Sequence, residues 1–357
     1  MGAFFVIGNG TIFVANCRFL KLLKVLYRLN SIRREAGFDT FVVILLLSIV
    51  VAAFWPSFGF EGGGESLGEI ANWGVSLIFF FYGLKIERST LLRDLSNWKL
   101  HFVVQLITFL LFPLIAIGAM LVLGGSTDSM MWLGVLFLAA LPSTVSSSVV
   151  MVSIAGGNIP SAIFNASISG IIGIFVTPLW MKLFYDTAAG AIDVGDIIIK
   201  LSLQVLLPVV VGFIFNFKFG EWARKNSRRL KLFDQTVILL IVYSSFSDSF
   251  EKGLFEGHTT KELALLTLSM ATLFLGIYGL TYLIERVLRF SREDGITALF
   301  CGSKKSLIHG TVISKALFPN AGMAGIVLLP LMIFHIVQLV AASIIAQKLS
   351  KSAPPIS

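Results

Sequence analysis

Residues 300–310 read Phe300-Cys301-Gly302-Ser303-Lys304-Lys305-Ser306-Leu307-Ile308-His309-Gly310, and they sit in the middle of an apolar run from about 294 to 317. Inserting one lysine at the centre of a membrane helix costs roughly 2.5–3.5 kcal/mol, so two adjacent ones are not incidental. A second stretch of the same character, Leu141-Pro142-Ser143-Thr144-Val145-Ser146-Ser147-Ser148, followed by Gly156-Gly157-Asn158, interrupts the run from 131 to 155. Proline removes a backbone donor and small hydroxyl residues compete for carbonyls, so the helix is expected to break at Pro142 and again at Gly302. Non-helical backbone at that depth persists only where it lines a cavity or is buried in protein.

Working outward, the 357 residues are 56% hydrophobic and 13% charged, against roughly 25% charged in soluble domains. The excess falls in ten segments, about 40–55, 67–84, 101–123, 131–155, 159–184, 197–217, 233–249, 263–288, 294–317 and 322–347. Lipid forces each to satisfy its own backbone, which predicts an all-α membrane protein with ten transmembrane helices. The net charge of +8 reads as orientation, not nucleic-acid binding, because the basic residues cluster in particular loops. Those clusters are Arg18–Arg34, Lys85–Lys99, Lys218–Lys231, Arg286–Arg292 and Lys348–Lys351. Ten crossings with both termini cytoplasmic put every cluster on one side, in an integral protein of the cell (inner) membrane. Five crossings then separate the first helix from the sixth. Residues 40–185 and 197–347 become two inverted five-helix repeats, and 348–357 a cytoplasmic tail.

Residues 1–39 form an N-terminal extension. Its apolar stretch 3–15 is too short to span a bilayer. Arg18, Lys21, Lys24 and Arg28 fall on one helical stripe, which suggests an amphipathic helix on the inner leaflet; a disordered extension is the other reading. Cys17 and Cys301 make no disulfide framework and have no metal-ligand spacing.

The fourth helix of each half is the interrupted one, and such breaks at corresponding positions point to a midplane binding site. Candidate site residues are Thr144, Ser147, Ser148, Asn165, Ser303, Lys304, Lys305 and Ser306, with Pro142 and Gly302 making the breaks. In one reading of the lysines, at least one ammonium faces the cavity, holding an anionic substrate or standing where a coupling cation would sit. In the other, both snorkel to the cytoplasmic interface from a re-entrant loop. No Asp or Glu falls in the middle of any segment, Asp248 being assigned to the loop after the seventh. The buried carboxylate that often serves proton- or sodium-coupled carriers is therefore missing.

At Pro142–Ser148, at Gly157-Asn158 followed by Thr177-Pro178, and at Cys301–Ser306, the chain resembles the bile acid:sodium symporter superfamily. It is similar to the branch carrying a Cys-Gly-Ser-Lys-Lys-Ser motif, and the likeness runs from about Phe41 to Lys348. The resemblance implies ten helices in two inverted repeats, with unwound helices four and nine crossing in a core domain beside a separate panel of helices. It also implies that sodium-ligand positions fall on Ser147 and Ser148, on Ala162 and Ala166, on Phe300 and on Lys304. Most of those positions lack an oxygen side chain here, so no metal site is assigned; only Ser147 and Ser148 remain as ligands if Na⁺ binds. No other cofactor is expected.

The function implied is secondary transport of a small organic anion, sterol-like or otherwise amphipathic, by alternating access within membrane lipid and without the usual sodium coupling. Lys304 or Lys305 would replace the cation. A non-transporting regulator of ion homeostasis on the same fold is the alternative. An intramembrane hydrolase pairing Ser147 or Ser306 with Lys304 is the remote one, because it needs a bonded neutral lysine and an oxyanion hole. The chain is otherwise read as no enzyme. Substrate identity and oligomeric state stay open.

Overall fold

Each of the ten apolar segments is helical in the computed structural model, which describes residues 4–7, 11–14, 40–58, 66–86, 96–126, 129–144, 146–185, 194–251, 253, 260–318 and 321–351. The chain divides into two units, residues 1–46 and 47–357. In the first, β1 (Phe4–Ile7) and β2 (Thr11–Val14) pair antiparallel with Phe4 opposite Val14 and Ile7 opposite Thr11. The short apolar stretch thus satisfies its backbone by folding on itself. The stripe at 18–28 lies outside the described residues. Apart from this hairpin, the described structure is helical.

The helices are α1 (Thr40–Phe54), α2 (Ser66–Lys85), α3 (Trp98–Val122), α4 (Met130–Ala140), α5 (Ser146–Ala155) and α6 (Ile159–Tyr185). They continue with α7 (Gly195–Lys225), α8 (Ser227–Glu251), α9 (Thr260–Val287), α10 (Arg292–Gly302), α11 (Leu307–Leu317) and α12 (Ala321–Lys351). The two interrupted segments are the pairs α4–α5 and α10–α11. Among the described residues six helices are long and apolar enough to cross a membrane: α3, α6, α7, α8, α9 and α12. Their outward faces carry bare hydrocarbon, Val122 at 85% exposure and Leu268 at 64% among them, which suits lipid and not water. The protein is an integral membrane protein.

Packing follows small residues. The α2–α7 contact is close because a Cβ on Gly83 would stand 2.1 Å from the Val209 carbonyl, and one on Gly212 2.1 Å from the Phe80 carbonyl. Only glycine permits backbones to approach so closely. Asn216 of α7 then donates to the Leu84 and Ile86 carbonyls at the end of α2. In the other direction, α12 packs on α4, α5, α8 and α9.

Two boundaries differ from the sequence expectation. Asp248 belongs to α8, and it is 2% exposed. Ser244-Ser245-Phe246-Ser247-Asp248-Ser249 has loop-like composition, but Ser249 Oγ donates back to the Ser245 carbonyl and the helix runs on. At the other end, α12 carries its helix to Lys351, into the expected tail.

Candidate functional site

Proline placement prepares the site before any lysine reaches it. In α3, a π turn at Ile107–Leu111 sends the Phe112 N–H to the Ile107 carbonyl, one residue further back than α-helix geometry. Thr108 loses its ordinary donor, and Pro113 has no N–H to supply either Thr108 or Phe109. Trp180 Nε1 donates to the Phe109 carbonyl at 2.8 Å. The Thr108 carbonyl is left for something else.

The first break opens where α4 ends. Leu141 turns extended, as the residue before a proline should. Thr177 Oγ1 donates to the Ala140 carbonyl at 2.8 Å, while the Ala139 and Leu141 carbonyls have no helical continuation to bond. The second break runs from Ser303 to Ser306 between α10 and α11. Ser306 caps α11, accepting the His309 N–H, and its Oγ lies 2.9 Å from His309 Nδ1.

The two breaks are bonded to each other. Ser306 N donates to the Pro142 carbonyl at 3.0 Å. Ser143 Oγ donates to the Cys301 carbonyl, and Ser148 Oγ to the Phe300 carbonyl at 3.1 Å. Ser143 N is in turn held by Ser169 Oγ of α6 at 2.9 Å. Gln338 of α12 reads the Lys305 backbone in both directions, accepting from its N–H and donating to its carbonyl, each at 2.9 Å.

Lys304 and Lys305 are both fully buried, which excludes the reading in which they snorkel to an interface. Their surroundings differ sharply. Lys305 Nζ donates to the carbonyls of Thr108 (2.7 Å), Ala139 (2.7 Å) and Leu141 (2.8 Å) and stands 4.2 Å from the Phe112 ring centre. These are the acceptors that Pro113 and the end of α4 left without donors, and the negative end of the α4 dipole favours a cation there. Lys304 Nζ has no hydrogen-bond partner among the described residues.

The remaining candidates are placed variously. Pro142, Ser148, Ser303, Lys305 and Ser306 lie at the joined breaks, with Ser303 Oγ bonded to the Leu299 carbonyl of its own helix. Ser147 and Thr144 touch only weakly, Oγ to Oγ1 at 3.4 Å. Asn165 is turned to α3, where its side chain meets His101 Nδ1 and Gln105 Nε2. Sequence reasoning missed the roles of Ser143, Thr108 and Gln338. Pro113 and Gln338, a proline and an amide inside apolar runs, were the available signals.

A narrow cleft with room for about one water adjoins the second break. It is lined by Phe79 and Tyr82 of α2, Ser167 and Gly170 of α6, Val209 of α7 and His309 of α11.

Two interrupted membrane helices bonded through their breaks, with two buried lysines at the joint, define a multi-spanning carrier-type membrane protein. The chain belongs to the SBF-like CPA transporter family, whose model matches residues 39–351. It is 37% identical to an uncharacterised protein, PA2026, of Pseudomonas aeruginosa, over 88% of this chain and 93% of that one. It is 34% identical to a protein of Escherichia coli K12 named as a candidate symporter, YfeH, over 87% and 92%. Identity to sodium/bile acid cotransporter 7 of Danio rerio is 30%, over 86% and 92%. This is a family of transporters, not of enzymes.

Proposed function

We propose that this protein is a secondary transporter that carries an organic anion across the cell membrane by alternating access, with both termini cytoplasmic and without the usual sodium coupling. Ten crossings in two inverted repeats, 40–185 and 197–347, are the topology in which it does so. The helical segments, the alternating basic loops and the breaks in the fourth helix of each half support that topology. Relatives named as sodium/bile acid cotransporters support an anionic, amphipathic cargo.

The observation that carries the reading is the buried Lys304 at the joint of the two breaks. Once protonated, Lys304 attracts an anion and repels Na⁺. The α10 carbonyls of Phe300 and Cys301, which could have faced a cation, already accept the Ser148 and Ser143 hydroxyl hydrogens. Ala162, Ala166 and Phe300 offer no side-chain oxygen.

Purified protein in liposomes, given labelled taurocholate as the probe anion, tests this. Uptake that is equal in sodium, potassium and choline media, and lost in Lys304→Ala, is the expected result. Uptake that requires sodium and survives Lys304→Ala would overturn the reading.

A further inference from the structure

Lys305 Nζ has three carbonyl acceptors around it, one for each N–H of an ammonium. Lys304, one residue away and equally buried, has no acceptor among the described residues. An ammonium held in such a place without an anion is strongly disfavoured, whereas a neutral amine is tolerated. Among the described residues no carboxylate is bonded to it. On its own segment the neighbouring titratable group is the Cys301 thiol, beside the Lys305 ammonium. On α9, Tyr278 faces the Phe300 ring. On α3, His101 is bonded to Asn165, and on α12, His335 is bonded to Gln338.

Among the described carboxylates, Glu285 of α9 lies against Gly295 of α10, about 13 Å along the helix from Lys304 by its rise. Asp294 is bonded to Asn158 in the first turn of α10, about 15 Å along the helix by its rise. Asp248 sits beside Ser249, which packs on Gly325, about 20 Å along α12 from Gln338.

We propose that Lys304 carries the coupling proton, so that the protein is a proton–anion symporter. The inference rests on the organic-anion reading above. When the site opens to water on the loading side, the Lys304 amine takes a proton from hydronium, forming one N–H bond and releasing water. The ammonium pairs with the anionic group of the cargo, and the neutral pair is occluded. On the far side the anion leaves, the unpaired ammonium returns its proton to water, and the amine is restored. One proton and one negative charge cross together. Reciprocity requires that the anion tighten proton binding as much as the proton tightens anion binding. Lysine suits the task because its charge is removable inside protein, and arginine's is not.

Two measurements on the full-length purified chain test the proposal. In liposomes loaded with a pH-reporting dye, taurocholate uptake is expected to acidify the lumen by about one proton per monoanion, in step with the charge balance of a neutral pair. Acidification should disappear in Lys304→Arg. Taurocholate uptake without acidification in the wild type would overturn proton coupling and leave the carrier reading standing. Failure of taurocholate uptake would count against the carrier reading for that anion, and the lysine is then judged without any cargo. With ¹⁵N at lysine Nζ, the wild type in detergent should show a neutral amine at about pH 8, where ordinary lysines are ammonium. That signal should be absent from Lys304→Gln and should convert to ammonium on acidification. Ammonium signals alone up to about pH 9.5 would overturn the proposal, since a lysine at its ordinary pKa is still mostly charged there.

Discussion

Two adjacent lysines at one depth in the membrane have opposite physical roles. Removing Lys305 strands three carbonyls that the backbone cannot satisfy. Lys305→Met is therefore expected to cost about 3 kcal/mol or more and to lower the melting temperature in detergent. An unchanged melting curve would contradict the assignment. Removing Lys304 strands nothing, since no described group is bonded to its Nζ. Lys304→Met is expected to leave stability unchanged or raise it, because an apolar side chain of similar size replaces a buried polar one that has no partner, while abolishing transport. A folded variant that still transports would remove Lys304 from the mechanism. The sequence marks both residues as costly, but it does not say which one is bound. The three acceptors of Lys305 come from α3 and α4, more than 160 positions away in the chain, and only the fold brings them together.

At the level of elements, the broken helices were readable because their causes are local. Pro142 and the hydroxyl cluster after it stop α4, and Gly302 with Ser303 stops α10. The π turn in α3 was harder to read. Pro113 announces missing donors, but whether the helix answers with a kink or with a wider turn depends on partners such as Trp180 and Lys305. Asp248 was misplaced for the converse reason: serine-rich composition resembles a loop, yet burial against α12 keeps it helical. The α2–α7 seam gives a sharp test. Alanine at Gly83 or Gly212 drives a Cβ to 2.1 Å from a backbone carbonyl, and each change is expected to destabilise by about 1–3 kcal/mol or more. Gly118, with nothing within 4 Å of its Cβ position, is the control, and Gly118→Ala should be neutral or slightly stabilising. Equal melting of all three variants would mean that the helices do not meet as described.

For the whole molecule, hydropathy marked a helical membrane protein, because the membrane leaves so few solutions for a backbone. The proposed crossings and their orientation are tested together. Ten crossings with cytoplasmic termini place Ser126 outside and Asn226 inside. In a background lacking Cys17 and Cys301, Ser126→Cys should react with an impermeant thiol reagent on intact cells, and Asn226→Cys only after permeabilisation. The reverse pattern would break the inverted-repeat topology.

The central claim is that a lysine has taken the place of the coupling sodium. It is tested most directly by melting the purified protein with and without Na⁺, with potassium or choline in its place, for wild type and Lys304→Ala. No sodium response is expected in the wild type, and a sodium-dependent rise is expected in the variant. A clear sodium-dependent rise in the wild type would contradict it, and would mean that the cation binds in the presence of both buried lysines.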